Sequence, residues 1–163
     1  MVNTVTLTLL TLFFAAPIGI FSAIYLVEYA NKKNKLVNVI RLTTETLAGI
    51  PSIVYGLFGY LFFLTFIGWR YSLMAGALTL AIMILPLIIR TTEEALIAIP
   101  IEYRQGSYGL GAGKLRTIFR IVLPSAIPGV LAGIILAIGR IVGETAALIF
   151  TAGTIAQIPS SLF

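Results

Sequence analysis

The sequence predicts an all-α, polytopic membrane protein with about four spans. The chain of 163 residues is 59% hydrophobic and only 10% charged, and its mean hydropathy is +1.05. These values lie far outside the balance of a soluble domain of this length. Long apolar runs alternate with short polar segments, and most basic residues lie in two of those segments. We therefore expect the lipid bilayer to be the solvent for most of the chain.

Four apolar runs are long enough, at about 1.5 Å per residue, to cross roughly 30 Å of hydrocarbon. The predicted spans are residues 5–27, 47–67, 73–90 and 125–150. A signal peptide would need a basic leading segment before the first run. Residues 1–4 contain no lysine or arginine, so we interpret the first run as a span.

Lysine and arginine are distributed unevenly between the two sides of this topology. Four lie in residues 28–46 and five in residues 90–120, whereas Arg70 alone lies in a predicted outer turn. Basic loops stay in the cytoplasm because moving their charges across a bilayer is unfavourable. The asymmetry predicts that both ends of the chain lie outside and that the two basic segments are cytoplasmic.

The composition also excludes several classes of function. The net charge of +5 comes from basic loops beside apolar runs, without the aromatic-rich basic surface of a nucleic-acid-binding protein. The chain has no cysteine and no histidine, which removes disulfides, thiol nucleophiles and the usual zinc or haem ligands. We expect no metal site, no cofactor and no catalytic residue in this chain.

A polar, glycine-rich segment at residues 102–124, which we call the coupling loop, lies between the last two apolar runs. Its glycines predict two short helices with a break near residues 109–113, and its apolar side chains could pack into the groove of a partner. The Gly113-Lys114 dipeptide is not part of a Walker A motif, because the flanking positions lack the required glycine and hydroxyl residue. Any ATPase must then be a separate polypeptide.

The spacing within the coupling loop resembles the loop by which permease subunits of ABC importers dock onto their ATPase. The positions that match the docking motif are Gln105, Gly106, Ser107, Gly111, Ile121, Leu123 and Pro124. The first three depart from the family's usual Glu-Ala-Ala. Residues 47–59 and 143–146 are in addition similar to the PstA-like permeases of phosphate importers, and the resemblance covers essentially all 163 residues.

The resemblance implies that residues 1–163 form the core of a type I (MetI-like) ABC importer transmembrane domain with cytoplasmic coupling helices. Such permeases have a further helix on each side, so we expect the core of a longer subunit. The implied partners are a homologous PstC-like permease, a PstB-like cytosolic ATPase dimer that uses the ATP, and a PstS-like extracytoplasmic phosphate-binding protein. The expected function is import of inorganic phosphate across a bacterial or archaeal cytoplasmic membrane.

Arg140 and Glu144 are charged residues within the fourth predicted span. Charges at that depth are costly unless they are paired or hydrated, and residues four apart on a helix share a face. A guanidinium fork suits phosphate oxygens, so we expect Arg140 to meet the anion, with Glu144 as its resting partner. The expected substrate pathway includes the adjacent Thr145. The alternative to this anion-binding role is a purely structural buried ion pair.

The resemblance extends the substrate pathway to Arg90, at the end of the third predicted span, because a basic residue at this position is associated with phosphate movement in the family. Snorkelling of Arg90 to lipid headgroups is an equally good account. Pro51 and Gly49 predict a kink or break early in the second span. Helix bending and a role in the pathway both explain that break.

Two alternatives to phosphate import stay open at this point. The docking spacing is shared across ABC importers, so phosphonate, molybdate or sulfate is an alternative cargo for the same permease role. An ion-gradient transporter is a different class of protein, and it would leave the pattern of the coupling loop unexplained.

Overall fold

The computed structural model of the protein describes residues 2–30 and 35–152. Every regular element in these residues is helical, which confirms the all-α fold class. The α-helices are α1 (Val2–Ile24), α2 (Lys35–Ala48), α3 (Ser52–Gly59), α4 (Leu73–Ile97), α5 (Ile101–Gly109), α6 (Lys114–Thr117), α7 (Leu123–Gly143) and α8 (Ala146–Thr151). Three stretches are π-helical, namely Tyr25–Tyr29, Tyr60–Phe66 and Ile118–Val122. Lys32 and Lys33, part of the predicted charge asymmetry, lie outside the described residues.

Three helices of the described chain are long and apolar enough to cross a bilayer: Val2–Tyr29, Leu73–Ile97 and Lys114–Gly143. The pair Val37–Ala48 and Ser52–Phe66 is a further candidate, and its two parts are bent by 102°. Three to four spans agree with the predicted number. Two helices differ in extent from the predicted spans: the third helix continues past residue 90 to Ile97, and the last helix runs from Lys114 to Gly143.

The bend in the second segment lies at Gly49–Pro51, which confirms the predicted break. In a continuous helix the carbonyl of Leu47 would accept from the backbone N–H of residue 51, and proline has none. The hydroxyl of Tyr55 donates to Leu47 O instead, at 2.9 Å, and Ile50 N–H donates to the same oxygen at 3.1 Å. The freed carbonyl is therefore satisfied, and Tyr55 ties the two halves of the broken segment together.

Helix α4 is the centre of the described structure. In its most apolar stretch 61% of the residues are buried, whereas the corresponding share is 33% in the first long helix and 28% in the last. Both α1 and α7 pack against it. Small residues allow the close approach: a Cβ atom added to Gly19 of α1 would lie 2.7 Å from Ile88 Cγ2, and one added to Gly129 of α7 would lie 2.7 Å from Ala95 Cβ.

The buried apolar side chains form two clusters along α4. The first surrounds Leu80 and Ile84, near the beginning of the helix, and includes Tyr55 of the broken segment and Ile141 of α7. The second surrounds Leu96, near the end of the helix, and is made by the following residues: Ala23, Ile24, Leu26, Val37, Ile89, Ile118, Val122, Ala126 and Val130. The second cluster includes Ile118 and Val122 of segment 102–124, so it packs the end of that segment against α4.

Candidate functional site

The coupling loop folds as two helices joined by a tight turn at residues 110–113, which confirms the predicted break. Gly111 has a φ angle of +81°, in the left-handed region that favours glycine. Its N–H donates to Tyr108 O at 2.9 Å, and the Ala112 N–H donates to Ser107 O at 3.1 Å. These are the paired bonds of a Schellman motif. They fix the direction in which the chain leaves α5.

The second helix of the coupling loop is continuous with a membrane helix. The sequence predicted a separate short helix, but α6, the π-helical stretch Ile118–Val122 and α7 together form the 30-residue helix Lys114–Gly143. Pro124 lies in the first turn of α7 and directly follows a wide π-helical turn, which leaves room for its ring. The turn of the coupling loop therefore leads directly into α7.

A hydrogen bond between side chains holds the two helices of the coupling loop together. Ser107 Oγ and Thr117 Oγ1 lie 2.8 Å apart in a buried position, and Thr117 Oγ1 also donates to Gly113 O at 3.2 Å. Ser107 is therefore an internal residue of the loop. Of the other positions matched to the docking motif, Gln105, Gly106, Gly111 and Pro124 are exposed, whereas Ile121 and Leu123 are half-buried.

Arg104 makes a buried contact that the sequence did not reveal. Its Nε and Nη2 atoms donate to Glu28 Oε1 at 3.0 and 2.7 Å. Nη1 donates to Ile99 O and Nη2 donates to Leu96 O, each at 3.0 Å. The side chains of Arg104 and Glu28 are only 12% and 7% exposed. Glu28 is the one acidic residue close to the first apolar run, and an acid at such a position is the signal that could have identified the pair.

A second cation connects the coupling loop to the first long helix. Lys114 Nζ lies 4.4 Å from the centre of the Tyr29 ring, within the range of a cation–π interaction. Tyr29 and Glu28 both belong to the π-helical turn Tyr25–Tyr29. That turn therefore contacts both helices of the coupling loop.

Arg140 lies in the last turn of α7 and is exposed in the described structure. The expected pair with Glu144 does not form, because α7 ends at Gly143 and the backbone of Glu144 is extended, with φ −83° and ψ 125°. Two residues share a helical face only while the helix continues. Among the described residues, the ion pairs are Arg41 with Glu93, Arg90 with Glu94 and Arg104 with Glu28.

Glu144 instead accepts a hydrogen bond within the connection to α8. Its Oε1 atom accepts from the Ala147 N–H at 3.2 Å, which satisfies a free donor at the start of α8. Thr145 is exposed, and its side chain makes no capping bond. The helix in the predicted fourth span therefore breaks at Glu144 and Thr145, and the preceding Gly143 could have indicated a helix end.

Arg90 lies within α4, seven residues before the end of the helix. It is exposed, and its Nε donates to Glu94 Oε1 at 3.2 Å. Gly133 faces Thr91, next to Arg90, and Arg140 lies seven residues further along α7. The two arginines are therefore separated by about 10 Å along the helix axes, and the structure does not bring them into one site.

Arg140 lies near the broken second segment, since the neighbouring Ile141 of α7 belongs to the same buried cluster as Tyr55. Tyr55 closes the break at Gly49–Pro51 through its bond to Leu47. The break after Gly143 lies at the end of the same helix as Arg140. Arg140, Tyr55 and the two helix breaks therefore form one region, which we call the Arg140 region.

Residues 15–161 match the family described as "Binding-protein-dependent transport system inner membrane component". The chain belongs to this family. As a permease of this type it is a membrane component of a transport system, in keeping with its apolar helices.

Curated relatives of this chain are also named as permease proteins. A probable ABC transporter permease protein, YqgI of Bacillus subtilis, is 40% identical over 151 residues, which are 93% of this chain and 51% of the relative. The phosphate transport system permease protein PstA 1 of Mycobacterium tuberculosis is 43% identical over 139 residues, covering 85% of this chain and 45% of the relative. PstA of Xylella fastidiosa is 40% identical over 144 residues, covering 88% and 50%. The permease thus spans about half the length of these relatives.

A solved structure has a similar fold. An inward-facing form of the MetNI methionine ABC transporter superposes with a TM-score of 0.77 at 25% identity, over 86% of this chain and 67% of that one. The expected MetI-like architecture is therefore confirmed.

Proposed function

We propose that the permease is a transmembrane subunit of an ATP-driven importer of inorganic phosphate in a bacterial or archaeal cytoplasmic membrane. The observation that supports this proposal best is the continuity between the coupling loop and α7. An exposed turn is joined to the membrane helix whose last turn contains Arg140. Relatives named as phosphate transport permeases support phosphate as the cargo.

The coupling loop is the proposed docking surface for the ATPase. Leu110, at the tip of the turn, is 91% exposed, and Tyr103, Tyr108 and Leu115 are exposed apolar side chains beside it. Such side chains fit a groove in a partner protein. Gln105 and Gly106 lie on the same exposed helix, and Gly111 fixes the turn through its left-handed conformation. Ile121, Leu123 and Pro124 connect the loop to α7.

The proposed complex contains a homologous PstC-like permease, a PstB-like cytosolic ATPase dimer and a PstS-like extracytoplasmic phosphate-binding protein. ATP binds to the ATPase and not to this chain. A Cβ atom added to Gly139 or to Gly143 of α7 would meet nothing within 4 Å among the described residues. Glycines on an open face let a neighbouring helix approach closely, so this part of α7 suits the contact with the second permease.

Arg140 is the proposed contact for the anion. Its guanidinium makes no ion pair within the described chain, so its donors are available to phosphate oxygens. Backbone groups at a helix break can bind an ion as it passes through the membrane, and the breaks at Gly49–Pro51 and after Gly143 supply such groups. Glu144 and Thr145 belong to this pathway through the second break, and Arg90 is a second basic residue nearer the coupling loop.

The proposal is tested with the assembled transporter in proteoliposomes, by measuring phosphate uptake and ATP hydrolysis in Arg140→Gln. We expect uptake to fall by about a hundredfold, since hydrogen bonds from a charged donor are among the stronger ones, while ATP hydrolysis continues. Arg70→Gln, in the outer turn, is the matched control and should transport normally. Undiminished uptake in Arg140→Gln would contradict the assigned role.

The cargo is tested separately by competition. Excess unlabelled phosphate should abolish uptake of labelled phosphate by the parent transporter, whereas sulfate, molybdate and a phosphonate should have little effect. Import of labelled sulfate, molybdate or phosphonate without import of labelled phosphate would assign the same permease role to a different cargo. Uptake that persists without the ATPase would indicate an ion-gradient transporter.

A further inference from the structure

Helix α5 of the coupling loop is attached to the rest of the chain mainly by polar contacts. Of its nine residues, all within the described part of the chain, only Ser107 is buried. Apolar burial, which usually fixes the position of a helix, therefore contributes little here. The Ser107–Thr117 bond connects α5 to α6. Residues 98–100 link α5 directly to α4, and the connection from α5 to the first long helix goes through Arg104.

The guanidinium of Arg104 joins three separate segments. It donates twice to Glu28, in the turn that ends the first long helix. It also donates to the carbonyls of Leu96 and Ile99, at the end of α4 and just beyond it. The last carbonyls of a helix lack intrahelical partners and carry partial negative charge, so a cation is favourable there. One side chain thus satisfies the end of α4 and binds the end of the first helix to α5.

We propose that Arg104 and Glu28 form a positioning pair that makes the first long helix and α4 move together with the coupling helix α5. This inference rests on the proposed function, in which the ATPase displaces the coupling loop. Through α6 the loop moves α7, as the continuous helix requires. Through Arg104, assisted by the link at residues 98–100 and by the Lys114–Tyr29 contact, it moves the two other long helices of the described chain, so that all three respond to one displacement.

The chemistry of the pair explains why arginine is needed. A planar guanidinium presents donors in several fixed directions, and all three of its nitrogens are used here. A lysine ammonium keeps the charge but lacks the fork. Arg104→Lys therefore separates the charge of the residue from its bridging geometry.

The test uses the complete purified transporter in proteoliposomes and compares Arg104→Lys, Arg104→Gln and Glu28→Gln with the parent. The matched control is Glu45→Gln, an exposed carboxylate on α2 without an ion pair among the described residues. We expect the ATPase to co-purify with all of them and ATP hydrolysis to continue. The phosphate imported per ATP hydrolysed should fall by about tenfold in the three pair variants and stay unchanged in Glu45→Gln.

A second readout follows the motion itself. The chain has no cysteine, so spin labels on Ile101→Cys in α5 and Phe13→Cys in α1, both exposed, label this subunit at chosen positions. In the parent, the distance between the labels should keep one narrow distribution when ATP is added, because the two helices move as a unit. In Arg104→Gln and Glu28→Gln the distribution should broaden and shift on ATP addition.

The outcomes distinguish the two proposals. A parent transporter that hydrolyses ATP but imports no phosphate contradicts the proposed cargo, and the label distances, which need no phosphate, still decide the role of the pair. Unchanged transport per ATP and unchanged label distances in Glu28→Gln overturn the pair's role. If Arg104→Gln fails to assemble, Glu28→Gln still tests the role of the pair. In that variant Arg104 keeps its bonds to the carbonyls of Leu96 and Ile99, so assembly should be retained. Lower thermal stability with normal transport per ATP identifies a structural brace only, and also overturns the inference.

Discussion

Two arginines, Arg104 and Arg140, lie near helix ends in this permease and have opposite surroundings. Arg104 is nearly buried and uses all three of its nitrogens within the chain. Arg140 is exposed on the last turn of α7 and makes no ion pair with any residue in ranges 2–30 and 35–152. A charge in an apolar protein needs a partner. The partner of Arg104 is in the chain, whereas the residues that the structure describes include no ion-pair partner for Arg140.

This difference separates two kinds of function. A cation whose bonds are all made inside the chain fixes the relative positions of helices, and its removal should first affect stability and mechanical coupling. A cation with free donors is available to a passing anion, and its removal should affect transport with little effect on stability. The following substitutions test that separation, in order of their expected effect on stability.

Arg104→Ala should destabilise the protein most. It leaves the carboxylate of Glu28 buried without its cation, and breaking a buried ion pair by removing one partner costs about 3–5 kcal/mol. Urea denaturation of the purified transporter, followed by circular dichroism, measures the change. The double variant with Glu28→Ala should be less destabilised than the sum of the two single variants. Additive effects would show that the two side chains do not interact.

Gly111→Ala should destabilise the coupling loop by roughly 1–2 kcal/mol, because an L-residue with a side chain is strained in the left-handed region. Its φ angle is +81°. Gly109→Ala is the matched control, since Gly109 is helical and alanine favours a helix. Limited proteolysis within the loop should be faster in Gly111→Ala and no faster in Gly109→Ala. Equal rates would mean that the turn does not depend on glycine.

Ser107→Ala should cost about 1 kcal/mol, the usual contribution of one hydrogen bond. Thr117 loses its partner at 2.8 Å but keeps its bond to Gly113 O. Ser125→Ala, which removes an exposed bond to Ile121 O, is the control. The same urea denaturation should place Ser107→Ala between Gly111→Ala and this control. A stability equal to that of the parent would show that the bond does not hold the two helices together.

Arg140→Gln should change stability least, by less than about 0.5 kcal/mol, as expected for a surface substitution that breaks no described bond. The same variant is expected to show the largest loss of uptake. Urea denaturation and transport assays on one preparation test the small change in stability and the large loss of uptake together. A destabilisation as large as that of Arg104→Ala would remove the distinction between the two arginines.

Much of the fold follows from local sequence. The apolar runs predict the membrane helices, Pro51 predicts the break in the second segment, and Gly111 predicts the break in the coupling loop. Each of these depends on a backbone property of one residue or on the hydropathy of a short window. The family assignment follows in the same way from spacing within the loop.

Two features of the site depend on more than local sequence. Arg104 and Glu28 are 76 positions apart, and only the packing of the first helix against α4 brings them together. The assumed pair of Arg140 and Glu144 required a continuous helix, but the chain leaves the helix after Gly143, where the Glu144 carboxylate caps α8. The four-residue spacing of Arg140 and Glu144 would bring their side chains together only in a continuous helix, and α7 ends between them.

The central claim is that the coupling loop lies on the ATPase side of the membrane and passes the motion of the ATPase to α7. Labelling of Leu110→Cys with a membrane-impermeant thiol reagent tests it most directly, because the chain contains no other cysteine and Leu110 is the exposed tip of the turn. We predict labelling from the cytoplasmic side only, with protection when the ATPase is bound. Labelling from the outer side, or labelling that the ATPase does not reduce, would contradict the account.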